Sequence, residues 1–153
     1  MKSIAANILG SVADAEDAVQ ETFLKVYRGA SGFRGGASPT TWIYRILVNT
    51  CYDQIRRRTR RAEAPLPTKV ALASSGESDH PLRLALEAEL LRLPASERAA
   101  FLLCEVEGFT HREAAEILDV PEATSRTFLF RARRRLQESL RATGAFAPAE
   151  ASS

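Results

Sequence analysis

Residues that usually carry chemistry are scarce in this chain of 153 residues: it has two histidines, two cysteines, one tryptophan and one methionine. Cys51 and Cys104 lie far apart with no Cys-x-x-Cys pair, so neither a disulfide framework nor a thiolate zinc site is expected, and a reducing compartment fits. His80 falls in a Pro- and Ser-rich stretch and His111 just behind a helix cap, which removes a histidine metal site and a Ser/His/Asp arrangement. Gly29, Gly32, Gly35 and Gly36 lack the Lys-Ser/Thr of a phosphate loop. No enzyme, metal or cofactor is expected. Long apolar runs are also missing, and residues 1–11 do not form a basic start, apolar stretch and small-residue cleavage site, so the chain is read as cytoplasmic without membrane insertion.

A strong overall charge is absent too, since 21 Lys/Arg against 19 Asp/Glu leave a net +2. The distribution is less even. Residues 1–61 hold 10 basic and 5 acidic side chains, residues 62–93 hold 3 and 5, and residues 94–153 hold 8 and 9. Within the last part, residues 121–141 carry six arginines against Glu122 and Glu138. Basic charge is thus gathered on two segments, a footprint of nucleic-acid binding that the sum conceals.

Apolar residues make up 45% and charged residues 26%, a globular balance. Helical spacing dominates and no alternating run long enough for a sheet is present, so the fold is expected to be all-α. Residues 62–81 contain Pro65, Pro67, a Ser-Ser-Gly run and Pro81, the composition of a flexible linker. The organisation predicted is two small helical domains, 1–61 and 84–142, joined by a flexible linker at 62–83 and followed by a disordered tail at 143–153. In the first domain, residues 14–28 form a helix closed by Gly29, a Gly-rich loop follows, and Ser38-Pro39 opens a second helix to about Arg61. In the second domain, residues 84–93 and 96–106 are helical, and Thr110 to Glu113 reads as a capping box.

The last two helices carry a plan. A short amphipathic helix from Thr110, a break at Val120-Pro121-Glu122 and a long basic helix make a helix-turn-helix, whose second helix enters the major groove. At 100° per residue Leu129, Ala132, Leu136 and Leu140 share one stripe, and Arg126, Thr127, Phe130, Arg131 and Arg134 lie on the other side. Arginine forks pair with guanine or neutralise phosphate, and a Phe can touch a thymine methyl. The plainer alternative is a solvated basic face. Phe128 sits at the edge of the stripe and is read as packing.

The helix from Thr40 has an apolar side of Ile43, Tyr44, Leu47, Val48, Cys51 and Ile55, and opposite it lie Trp42, Arg45, Asn49, Asp53 and Arg56, followed by a basic run to Arg61. An indole with amide and guanidinium groups on one face can stack on an unpaired base and hold its phosphates. Alternatively Trp42 is core and Asp53 pairs with Arg56 or Arg57. Asp14, Asp17 and Glu21 beside Gln20 form an acidic patch suited to a basic protein partner, or complement the start of the helix.

Taken together, DAEDAVQETFLKVY at 14–27, TTWIYRILVNTCYDQIRRR at 40–58 and the segment 93–136 resemble the extracytoplasmic-function (ECF) sigma factors of bacterial RNA polymerase. The resemblance implies binding to core RNA polymerase and direction of transcription initiation. It assigns Asp17, Gln20, Glu21 and Leu24 to the β′ clamp helices. Trp42, Arg45, Asn49, Asp53 and Arg56 go to reading and melting the −10 element, and the loop at 29–38 to capture of a flipped base. Arg126, Thr127, Phe130, Arg131 and Arg134 go to the −35 element. The implied partners are core polymerase, including the β flap, promoter DNA and an anti-sigma factor. The family normally begins with one more helical stretch than residues 3–12 provide, so a first domain shortened at its start is expected. Ser125 replaces the usual Val and Phe128 the usual Arg. Two other readings are a stand-alone helix-turn-helix regulator and a sigma fragment acting through anti-sigma binding.

Overall fold

The computed structural model describes residues 1–61 and 81–144; the expected linker, apart from its last three residues, and most of the expected tail lie outside the described residues. Among the described residues every regular element is helical: α1 (Lys2–Leu9), α2 (Val12–Gly29), α3 (Pro39–Arg61), α4 (Pro81–Arg92), α5 (Ala95–Phe101), α6 (His111–Leu118) and α7 (Glu122–Ala142). A 3₁₀ turn at Ala30–Gly32 follows α2, and α5 widens into a π-helical stretch at Leu102–Val106. The all-α expectation holds.

Local chemistry sets the boundaries. The Ser11 hydroxyl accepts from the Asp14 backbone N–H at the start of α2. Ser38 Oγ accepts from the Thr41 N–H at 3.1 Å ahead of Pro39, the predicted cap and first-turn proline of α3. Thr110 and Glu113 close a reciprocal capping box on α6. Helix α6 ends on Asp119, which adopts a left-handed conformation with φ 56°, tolerable for Asp because its short polar side chain is at home there.

Helices α1, α2 and α3 form one bundle and α4 to α7 another. The two bundles are not separate beads. Helix α3 lies along α6, and α1 reaches α4, α5 and the π-helical stretch, so a single apolar cluster runs from Ile4, Ile8, Leu47, Val48 and Cys51 to Leu90, Leu102, Leu103, Ile117 and Leu136. Helix α1, from the stretch expected to leave the first domain short, is central: Ile4, Ala5, Ala6, Asn7, Ile8 and Leu9 are all buried. Arg98 is buried as well and donates to the carbonyls of Leu90, Leu91 and Leu93, with the Leu91 contact at 2.9 Å, so its guanidinium satisfies the open end of α4.

Candidate nucleic-acid interface

Helix α7 presents two faces because its apolar residues recur every three or four positions. Leu129, Ala132, Leu136 and Leu140 are buried, whereas Arg126, Thr127, Phe130, Arg131 and Arg134 are exposed. Phe130 is 65% exposed, a large apolar ring held in water among arginines. Arg126 leans back on Glu122 at 2.8 Å and Arg134 on Glu138 at 3.1 Å, while Arg131 has no ion pair among the described residues. Two further arginines, both exposed, reach acids of earlier helices: Arg133 pairs with Glu105 and Arg135 with Glu97. Those two pairs tie α7 to the preceding helices and reduce the cationic front to three guanidinium groups. Phe128 is half-buried against the core, consistent with a packing role. Ser125, the family departure, is fully buried and its hydroxyl has no hydrogen-bond partner among the described residues, so an apolar Val there would forfeit no side-chain hydrogen bond.

The second face is a stripe along α3. Trp42, Arg45, Asn49, Asp53 and Arg56 follow one another at helical steps, and Asn49 is exposed with no side-chain hydrogen bond among the described residues. Trp42 is half-buried and stacks at a tilt on Phe33, with ring centroids 4.8 Å apart. A Cβ on Gly29 would come to 3.3 Å from the indole, a tight contact that the ring would have to yield to by a few tenths of an ångström. Phe33, Arg34, Trp42 and Arg45 line a cleft of about 370 Å³ with the loop glycines, and Glu116 of α6 forms its far wall. Asp53 pairs with Arg56, the plainer alternative read from the sequence. Arg58 donates to the Leu9 carbonyl at 2.7 Å and pairs with Asp14, which fastens α3 to the start of α2.

On α2, Asp17 and Gln20 are exposed and Leu24 is 55% exposed. Glu21 is engaged by Lys25 at 3.3 Å and Arg57 at 3.8 Å, so part of its carboxylate is committed to α3. Phe23 and Tyr27 extend the apolar part of this surface, at 54% and 85% exposed. They were missed because Phe23 falls at the spacing of a core stripe and Tyr27 at the edge of the helix, where periodicity alone does not separate inside from outside.

Residues 1–61 match the family described as Sigma-70 region 2, and residues 83–136 match Sigma-70, region 4. The ECF RNA polymerase sigma-E factor of Haemophilus influenzae is 34% identical over 145 residues, which cover 83% of this chain and 75% of that protein. The chain belongs to the ECF sigma factors. SigM of Mycobacterium tuberculosis, another ECF sigma factor, is 35% identical over 127 residues; the match covers 83% of this chain and 64% of SigM. Among solved structures, the sigma factor RpoE in complex with the anti-sigma factor NepR from Bartonella quintana aligns with a TM-score of 0.78 at 29% identity, covering 92% of this chain and 89% of that one. CnrH in complex with the cytosolic domain of CnrY aligns with a TM-score of 0.66 at 25% identity, covering 92% and 80%. The matched segments of this ECF chain are the ones that hold the α3 stripe and the α7 front. No helix among the described residues is long and apolar enough to cross a membrane.

Proposed function

We propose that this ECF sigma factor binds core RNA polymerase and directs promoter recognition and transcription initiation. Residues 1–61 would dock on polymerase and read and melt the −10 element, and residues 84–142 would place a helix-turn-helix on the −35 element. One observation carries this reading: an exposed cationic front with a projecting Phe130 on the second helix of a helix-turn-helix, in the segment matching region 4, follows a segment matching region 2. Arg126, Thr127, Phe130, Arg131 and Arg134 are the −35 contacts in this reading, Trp42, Arg45, Asn49, Asp53 and Arg56 the −10 contacts, and Asp17, Gln20, Glu21 and Leu24 the clamp contacts. The β′ clamp helices, the β flap, promoter DNA and an anti-sigma factor are the partners, and the anti-sigma factor NepR bound to the aligned RpoE supports the last of them. Sigma factors are initiation factors rather than enzymes, and the site of action would be the cytoplasm. Run-off transcription with purified core polymerase tests the reading. Initiation from a cognate promoter only when the chain is added is expected, and failure to bind core or initiate overturns it.

A further inference from the structure

A groove of about 490 Å³ runs between α4 and the second half of α7, lined by Leu82, Leu86, Phe101, Leu136 and Leu140. It lies apart from the α3 stripe, the α2 face and the α7 front. Leu82, Leu86 and Phe101 are only half-buried, so apolar surface is left uncovered inside it. Two cations border it: Arg133 is paired with Glu105, while Arg141 is exposed and has no ion pair among the described residues.

Helix α7 ends beside this groove. Gly144 takes a left-handed φ of 72°, and its N–H donates to the Arg141 carbonyl at 3.1 Å. That is one bond of the reversal in which a chain leaving a helix turns back and sets its next residues against the third residue from the helix end, which is Leu140. We propose that the tail folds back along α7 and seats Phe146 in the groove, as an intramolecular plug that the apolar segment of any partner must displace. The composition of the tail suits the site. Residues 145–149 are uncharged, Phe146 is the one large apolar side chain after Leu140, and Glu150 is the one charge after Arg141. Pro148 favours extended backbone for itself and for Ala147. Two extended residues beyond Gly144 cover about 7 Å, and the four residues back to Leu140 rise about 6 Å, so a reversed chain brings Phe146 level with Leu140. Four more extended residues cover about 13 Å against about 10 Å from Leu140 back to Arg133, which carries Glu150 within reach of that arginine. The Arg133 fork keeps donors beyond the one on Glu105. The linker also enters near the groove, at Pro81, but its last residues, 74–80, are polar and acidic.

The full chain with carbon-13 leucine methyls tests the plug, as the parent and with Phe146→Ala, Phe146→Leu or Leu72→Ala. In Phe146→Ala the methyl resonances of Leu82, Leu86 and Leu140 should move as the ring current is lost. Amide exchange in the last two turns of α7 should quicken by roughly threefold to tenfold, the scale of partly burying one phenyl ring. The same variant should bind more anilinonaphthalene sulfonate, because the vacated groove admits the dye. Phe146→Leu should lose the ring-current shift and keep part of the protection. Methyl resonances in Phe146→Ala that match the parent overturn the plug. If Leu72→Ala moves those methyls and Phe146→Ala does not, the linker is the occupant and the proposal fails. If the parent sediments as a dimer and the shifts vanish on dilution, a second copy fills the groove, which overturns it as well.

Discussion

Arg56 rests on Asp53, Arg57 on Glu21 and Arg58 on Asp14, so three of the five arginines at the end of α3 are spent on carboxylates of the chain itself. Arg126 is held by Glu122 in the same manner, but on an exposed face where a guanine or phosphate can replace the partner. Arg126→Ala is expected to weaken −35 duplex binding by about 1–3 kcal/mol, with relaxed preference at one base if the fork reads it and uniform loss if it holds phosphate; titration against a set of single-base variants distinguishes the two. The pairs four residues apart, Arg126 with Glu122 and Arg134 with Glu138, are visible in the sequence, as is the side of α7 on which each arginine lies. Arg133 with Glu105 and Arg135 with Glu97 are not, because each joins two helices whose approach no local pattern encodes. One buried group, Cys51, and two partly buried ones, Tyr44 and Tyr52, set an alkaline limit. Burial raises the Cys51 thiol from 9.0 to about 12, and the Tyr44 and Tyr52 phenols from 10.0 to about 12. The unfolded chain therefore loses these protons first, and their contribution to stability, complete below about pH 9, declines until about pH 12. The guanidinium midpoint should be insensitive to these groups near neutrality and fall from about pH 9 upward. Cys51→Ala should delay the onset toward pH 10; an unchanged onset would remove Cys51 from the account.

At the scale of the element, α1 is the least expected helix and among the most committed to the core. It has no side-chain cap, no acidic first turn and no basic last turn, and its apolar residues leave only a short polar side, so periodicity has little to work on. What fixes it is tertiary burial on several sides. Ile8 is fully buried, and Ile8→Ala is expected to cost about 2–5 kcal/mol, the usual range for such a truncation. Chemical denaturation checks it, and a loss below about 1 kcal/mol would mean that α1 is peripheral in solution. By contrast, the starts of α3 and α6 were fully legible, because Ser38-Pro39 and Thr110 to Glu113 solve the unsatisfied N–H groups with residues adjacent in sequence. The widening of α5 into a π-helical stretch had no sequence signal of that kind, since it accommodates neighbours rather than a cap.

For the molecule as a whole, the composition pointed to two helical modules, each carrying one basic segment, but carried no information on how they meet. Asp119 reads only as a helix end and Glu107 as an unremarkable surface acid; their partners Arg45 and Tyr44 lie more than sixty residues earlier. The surfaces assigned to polymerase and to duplex lie on different bundles, α2 and α7, which makes them separable. Asp17→Arg is expected to abolish core binding while duplex affinity stays within about twofold, because Asp17 is exposed and has no ion pair among the described residues. Pull-down with core polymerase and duplex titration of the same full-length variant check both halves of that statement, and unchanged core affinity would move the docking face elsewhere. The order of synthesis gives α1 another consequence. It leaves the ribosome before α4 and α5, which begin about seventy and about ninety residues later and supply part of the surface that buries it. Its far side must stay wet until the second bundle emerges, so the core of this sigma factor is completed late around a helix made early.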